Sequence, residues 1–398
     1  MKVSVALAAL VVGSTLLGAP ATHARESAKL VVSPARALVD EPVDVRVTGL
    51  RPRRKVTLVA SARDRLGKGW RSRLVFTADR RGAVGTHSNM KLFWSMRPTK
   101  PSEPPAPFAF SHGDMPVLIR AQVGGHTVAS GTLVRRAEAP DLKATEATVA
   151  VQGFAGTYYA RPTGAPAPAI LALGGSGGGH GGGGLLASHG YPTLSLGYFK
   201  EPGLPQELRR IPLEYFRTAL RWLAAQPGVD PRRIVVRGVS RGGEAALLAS
   251  AMFPDLVHGA ISCTGSADVQ GSVPEGDAAW TLNGTPVPAG TPIAVERTAG
   301  PVLAFFGGKD GFGDPTLSER ELVARARAHG RRDIVVHVYP NAGHGVGCVV
   351  PNVPLVGQME YAVAPSTYVN RGGTLAANEQ AAAAASSLVL RFLRTLPG

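Results

Sequence analysis

The chain of 398 residues carries 43 lysines and arginines against 28 aspartates and glutamates, a formal net charge of +15. The basic residues are scattered in pairs such as Arg53-Arg54, Arg80-Arg81, Arg209-Arg210 and Arg331-Arg332, with no nucleic-acid motif beside them. The charge therefore reads as a solvated surface, and nucleic acid is not expected as a partner. Two cysteines, Cys263 and Cys348, show no metal-ligand spacing, and neither a metal nor a cofactor is expected.

Taken in chain order, the N-terminus reads as a secretory signal. Lys2 gives a positive start, Val3 to Leu17 form an apolar run, and Thr22-His23-Ala24 offers a small-residue cleavage site before Arg25. The run is too short for a comfortable membrane span of about 20 residues, and no later stretch replaces it. No Cys follows it to carry a lipid. The expectation is removal of residues 1–24 and a mature protein that is secreted or otherwise extracytoplasmic. In an oxidising compartment the two cysteines either close one disulfide or stay free, and the sequence leaves both open.

The mature chain is too long for one ordinary core and suggests two domains. Residues 25–140 read as all-β, an immunoglobulin-like sandwich. Leu30-Val31-Val32, Val43 to Val47 and Lys55 to Ala60 alternate or run apolar at strand length, with turn signals between them. A proline-rich stretch from Pro98 to Pro107 interrupts the series, and further strands are expected at 116–123 and 131–134. No titratable cluster stands out here, so the domain is expected to be scaffold or one wall of a substrate cleft.

Residues 141–398 change character. Buried strand-like runs at 169–173, 193–196, 233–237, 257–262, 302–306 and 334–339 alternate with helical patterns at 211–226, 242–252, 317–329 and 376–394. In the first helix Ile211, Tyr215, Ala219 and Leu223 would share one face. This alternation predicts a mostly parallel, doubly wound α/β sheet of α/β-hydrolase size.

The strongest chemical signal is Gly238-Val239-Ser240-Arg241-Gly242, set between the strand Arg233 to Arg237 and the helix that Gly242 opens. A nucleophile elbow needs that context, with small residues two before and two after the serine so that the backbone can pass close to itself. A serine hydroxyl is a poor nucleophile until a base takes its proton. The order on this fold is Ser, acid, His. Asp310 follows the strand at 302–306 and His344 follows the strand at 334–339, both just past strand C-termini. They are the expected acid and base. Asp314 is the rival acid, but it precedes Pro315 and suits a turn. The Arg241 N–H, at a helix N-terminus, and that of Gly175 or Ser176, in the glycine-rich loop after Leu173, are the expected oxyanion donors. Gly177-x-Gly179-x-x-Gly182 with Glu201 about 20 residues on formally matches a dinucleotide fingerprint. That match is near-automatic in so glycine-rich a loop and leaves the triad unexplained. A Walker loop is excluded because no Gly-Lys-Ser/Thr follows.

With these residues in place a family is visible. The chain resembles the acyl-CoA thioesterase and bile acid-CoA:amino acid N-acyltransferase family over nearly its whole mature length. The resemblance rests on Leu38 to Val43 and Leu92-Phe93-Trp94-Ser95-Met96-Arg97-Pro98 in the first domain. In the second it rests on Leu213-Glu214-Tyr215-Phe216, the elbow with Gly243-Glu244, Ala328 to Arg332, Tyr339-Pro340-x-x-Gly343-His344 and Gly372-Gly373-Thr374. It implies the roles of nucleophile, acid and base for Ser240, Asp310 and His344, and a small acyl thioester or ester as substrate. Members that transfer acyl groups to amino acids use cysteine, so Ser240 favours hydrolysis. The segment around Thr86 to Met90 looks shortened, and Gly345 to Cys348 lacks the family's acidic–proline run; both loops would border the substrate. Three functions compete: a long-chain acyl thioesterase, a secreted carboxylesterase or lipase-like enzyme, and a non-catalytic envelope protein on a hydrolase scaffold. An acyl transferase to an amino acid is the remaining enzymatic alternative.

Overall fold

A computed structural model describes residues 28–100, 107–111, 113–162, 165–180, 182–364 and 367–398. The expected signal at 1–24 and most of the proline-rich stretch lie outside the described residues.

The N-terminal part forms two facing sheets. One has six strands, in the order Arg36–Leu38, His126–Arg136, Asp114–Val123, Lys55–Arg63, Gly69–Thr77 and Arg97–Pro98. The other pairs Lys29–Ser33 and Val84–Gly85 with Asp44–Thr48. Strict alternation makes the core: in Asp114–Val123, Met115, Val117, Ile119, Ala121 and Val123 are buried while their neighbours face outward. The strand at Gly69–Thr77 was not anticipated. Arg71 and Arg73 punctuate it on the solvent side, and only Trp70 and Ser72 are fully buried.

From Lys143 onward the chain builds an eight-stranded sheet. Its strands are β1 (Lys143–Ala147), β2 (Ala155–Ala160), β3 (Ala167–Leu173), β4 (Thr193–Gly197), β5 (Val229–Val239), β6 (Gly259–Cys263), β7 (Val302–Gly307) and β8 (Ile334–Tyr339). They lie in the order β1-β2-β4-β3-β5-β6-β7-β8. The β1–β2 and β2–β4 pairs are antiparallel and the other five are parallel. The doubly wound sheet expected from the alternating pattern is thus present, with two antiparallel strands added at one edge.

Period-two burial decides what covers each face. Ala169, Leu171, Ile234, Val236, Ala260, Ala304 and Phe306 pack with helices α1 (Leu213–Ala224), α2 (Arg241–Met252) and α3 (Thr316–Ala328). Ile170, Val235, Ile261, Leu303 and Phe305 face the other way, onto Ala381, Ala385, Val389 and Leu393 of α4 (Leu375–Thr395). Two corrections concern α1. It begins at Leu213, because Ile211–Pro212 instead pairs with Trp280–Leu282 in a small separate sheet. Its buried stripe is Leu213, Phe216, Ala219, Leu220 and Leu223, while Tyr215 is half-buried and spans between the Gly197 carbonyl, to which it donates, and the Ala155 N–H.

The two parts are stitched by the loop after β8. Val353 and Leu355 are buried inside the sandwich core, and the Leu355 N–H donates to the Trp94 carbonyl at 3.3 Å. Polar ties surround this plug. Asn352 donates to the Asp40 carbonyl at 2.6 Å and its N–H donates to Glu379 of α4 at 2.8 Å. His189 pairs with Asp40 at 2.7 Å. Arg135, buried, donates to the carbonyls of Glu41 and Val39.

Two of these groups titrate in the same sense. The hydrogen bond to Asp40 holds the His189 imidazolium above its usual range, against desolvation. Burial pushes the Glu379 carboxyl from 4.5 up to about 7, opposed by the Asn352 hydrogen bond and Arg135. Both bind their proton more tightly in the folded protein, so the stability they contribute is present at low pH and lost as pH rises, for Glu379 between 4.5 and about 7. Glu379→Gln keeps the acceptor for Asn352 and removes the titration. The variant should therefore gain stability relative to wild type by about 3 kcal/mol as pH is raised across that window. Thermal midpoints recorded from about pH 5 to 8 check this; parallel curves for the two proteins would show that Glu379 does not titrate there.

Candidate active site

Ser240 sits where β5 ends and α2 begins, with φ 56° and ψ −121°. A side chain in the left-handed half of conformational space is strained, and only surroundings that over-determine the turn hold it there. Those surroundings are backbone. A Cβ on Gly238 would stand 2.0 Å from the Gly242 carbonyl oxygen, and one on Gly242 would stand 2.3 Å from that of Gly174. The spacing of small residues around the serine is thus a steric necessity. The Ser240 N–H is fixed on the Cys263 carbonyl of β6 at 2.8 Å.

His344 lies in the loop after β8 and Asp310 in the loop after β7. Imidazole Nδ1 meets Asp310 Oδ2 at 2.7 Å, with the side chains 12% and 6% exposed. Asp310 Oδ1 accepts from the Phe312 N–H at 2.8 Å, so both carboxylate oxygens are held. The Phe312 ring lies 4.5 Å from the imidazole, centre to centre. Asp314, the rival acid, accepts from the Thr316 N–H and hydroxyl and is exposed at the start of α3. It is a turn residue here.

Ser240 and His344 line one cavity of about 400 Å³ together with Gly175, Ser176, Phe312 and Phe110. Gly175 packs against the serine: a Cβ there would be 3.3 Å from Ser240 Cβ. The glycine-rich loop therefore passes beside Ser240. Arg241 is the first residue of α2, so its N–H has no preceding helical turn to bond. The arginine side chain itself points away from this role. It pairs with buried Glu244 at 2.7 Å, donates to the Gly271 carbonyl at 2.8 Å and lies over the Trp280 ring. Burial pushes the Glu244 carboxyl up to about 7, against the pull of Arg241 and of the hydrogen bonds from Gln270 and Trp280.

Glu201 has a different partner from the one a dinucleotide reading would give it. It pairs with His180 Nδ1 at 2.5 Å, while the other ring nitrogen meets the Thr157 hydroxyl at 2.9 Å. His180 thus ties the glycine-rich loop to Thr157 of β2, with Glu201 holding its other nitrogen. Among the described residues no group of three or more His, Cys, Asp or Glu side chains is arranged to hold a metal ion.

Two further contributors left no sign in the sequence, and for part of a third the sequence left an alternative open. Phe108 and Phe110 bring the sandwich into the cavity wall. The Arg371 carbonyl accepts from both His344 N–H, at 2.7 Å, and Gly311 N–H, at 3.0 Å. The third is the set of ties on the histidine loop: Gly345 N–H to Thr264 hydroxyl at 3.1 Å, Arg237 to the Gly347 carbonyl at 3.0 Å, and a Cys263–Cys348 disulfide. The disulfide resolves the alternative that the sequence left open.

An α/β-hydrolase sheet with a strained serine elbow and a facing His–Asp pair, joined to a β-sandwich, defines the class. Comparison with known proteins adds to this. Residues 40–149 match the family model "Acyl-CoA thioester hydrolase/BAAT N-terminal region", and residues 206–396 match "Dienelactone hydrolase family". The chain is 27% identical over 363 residues to mouse acyl-coenzyme A amino acid N-acyltransferase 1, covering 79% of this chain and 86% of that one. It is 28% identical over 371 residues to human mitochondrial acyl-coenzyme A thioesterase 2, covering 81% and 75%. A solved putative dienelactone hydrolase from Klebsiella pneumoniae is 19% identical with a TM-score of 0.47, covering 64% of this chain and 99% of that one. In both of its parts the chain is thus similar to acyl-CoA thioester hydrolases and acyl-CoA:amino acid N-acyltransferases.

The disulfide closes a loop of sequence separation 85, which in the chain-entropy account contributes roughly 4.6 kcal/mol. It also tethers the turn four residues after His344. Cys263→Ala with Cys348→Ala should therefore lower both the thermal midpoint and turnover, the latter by about tenfold, a 1.4 kcal/mol effect. Activity and unfolding assays on the double variant check this; full turnover with an unchanged midpoint would show that the other two ties suffice.

Proposed function

We propose that this protein is a serine thioesterase that hydrolyses long-chain acyl thioesters through an acyl-Ser240 intermediate. One observation carries the reading: a serine held on a strained elbow shares a cavity with a histidine whose far nitrogen is bound to a buried aspartate. His344 takes the Ser240 proton as the hydroxyl attacks the acyl carbonyl, and then gives it to the departing thiolate. Asp310 keeps the imidazole in the tautomer that leaves Nε2 free to accept, and stabilises the cation that forms. The N–H groups of Arg241 and of Gly175 or Ser176 would hold the oxyanion. Water, deprotonated by His344, then cleaves the acyl-serine. The names of these relatives support a thioester as the bond broken. A carboxylesterase would use the same residues, and the expected export favours it, since acyl-CoA is an intracellular metabolite.

Ser240→Ala should lower the rate constant by about a million-fold with the fold intact. Assay of the variant with acyl-CoA and p-nitrophenyl ester panels tests the nucleophile and ranks the two leaving groups; retention of a tenth of wild-type activity would remove Ser240 from the mechanism. Because the intermediate is an oxyester, water should outcompete glycine or taurine. Ser240→Cys should move products toward the N-acyl amino acid, read by mass spectrometry. Mostly N-acylglycine from wild type would favour the transferase reading instead.

We further propose, from Lys2, the apolar run to Leu17 and the Thr22-His23-Ala24 site, that the mature chain starts at Arg25 outside the cytoplasm. Intact mass of protein from the native host should lack residues 1–24; a cytosolic product that retains them would overturn export and restore acyl-CoA as the physiological substrate.

A further inference from the structure

The cavity at Ser240 does not end in the hydrolase domain. Its far wall is Phe108 and Phe110, from the sandwich, and the same two rings form the near wall of a second void of about 30 Å³. Beyond them that void is lined by apolar side chains of the sandwich core, among them Val39, Phe93, Met96 and Val117, with Val353 from the loop that follows His344. Its polar members are already engaged. Arg135 donates to the carbonyls of Glu41 and Val39, and Asn352 donates to that of Asp40. Most of the lining behind the rings is apolar and suited to methylene and methyl groups.

The two rings are not equivalent. Phe108 is 8% exposed and packs edge-on to Trp70, with centroids 5.3 Å apart. Trp70 is in turn fixed by its indole N–H on Asp64 at 3.1 Å. Phe110 is half-buried, meets Phe108 edge-on at 5.3 Å and packs against the rim of the same core. One ring is backed by core, and the other stands at the boundary between the cavity and the void.

We infer that the acyl chain of the substrate runs from Ser240 to the Phe108–Phe110 pair and that Phe110 is the gate that sets the longest chain accepted. This rests on the thioesterase reading and names its substrate more narrowly: an unbranched acyl group whose terminal methyl abuts the sandwich domain. Replacing Phe110 by a small residue joins cavity and void, and each further methylene buried there should raise kcat/KM about fourfold, equivalent to about 0.8 kcal/mol.

The experiment measures kcat/KM for wild type, Phe110→Ala, Phe110→Leu and Phe110→Trp against straight-chain acyl thioesters from acetyl to long-chain. Fluorophosphonate labelling of Ser240 and a thermal midpoint are recorded for each variant. Phe110→Ala should move the optimum to chains longer by at least two carbons. Phe110→Leu should do so in part and remain informative should the alanine variant fold poorly, and Phe110→Trp should shorten the optimum. If Ser240 is labelled in every variant and the chain-length profile does not move, the gate is wrong and the nucleophile stands. If wild-type Ser240 is neither labelled nor acylated by any member of the series, the thioesterase reading fails and this inference falls with it.

Discussion

One carbonyl oxygen ties the loops of Asp310 and His344 together. Asp310 and His344 lie on separate loops, after separate strands, and a 2.7 Å contact between their side chains requires the loops to keep register. The Arg371 carbonyl provides it by accepting both the Gly311 N–H and the His344 N–H. Single bridges between Asp310 and Gly372, and between Ala342 and Gly373, extend the same staple. The close fit leaves no room for side chains: a Cβ on Gly311 would lie 1.8 Å from the Asn370 carbonyl oxygen, and one on Gly343 would lie 2.2 Å from that of Arg371. The segment then runs directly into α4, whose buried face grips the underside of the sheet. A backbone acceptor, not a side chain, thus sets the geometry on which the imidazole depends.

The second constraint is the domain seam. The loop that carries His344 continues into Val349, Val350, Val353 and Leu355, which pack with the sandwich core. The histidine is therefore clamped on one side by its own sheet, through Thr264, Arg237 and Cys263, and on the other by a foreign domain. Phe108 and Phe110 cross the seam in the opposite direction and close the cavity. Each domain lends the other a piece of its interior.

How legible this was in the sequence depended on whether a feature is local and apolar. Strands β3 to β7 are largely covered on both faces, so they appear as continuous runs such as Ile170-Leu171-Ala172-Leu173, and with the apolar edge strand β8 they were anticipated within a few residues. The edge strand β1, Lys-Ala-Thr-Glu-Ala, is exposed at four of its five positions and carries no such run. The elbow was legible because strand, serine, glycines and helix are contiguous. Asp310 and His344 followed from their places after strand ends. The Arg371 carbonyl has no sequence signature, since any residue supplies one. The aromatic wall belongs to a domain whose sequence shows only period-two burial, and the partnership of Glu201 with His180 is a tertiary fact.

The valine- and leucine-bearing plug has a consequence for how such a protein could arise or be divided. If the sandwich were cut away, Val353 and Leu355, now 2% exposed each, would face water on a loop that begins nine residues after the histidine. The hydrolase half would gain a sticky surface at the very place where its chemistry needs order. The sandwich, in turn, would keep a socket with nothing to fill it. The pair is thus not two modules on a string: duplication, recombination or laboratory truncation at the boundary between Arg136 and Lys143 would break one shared core.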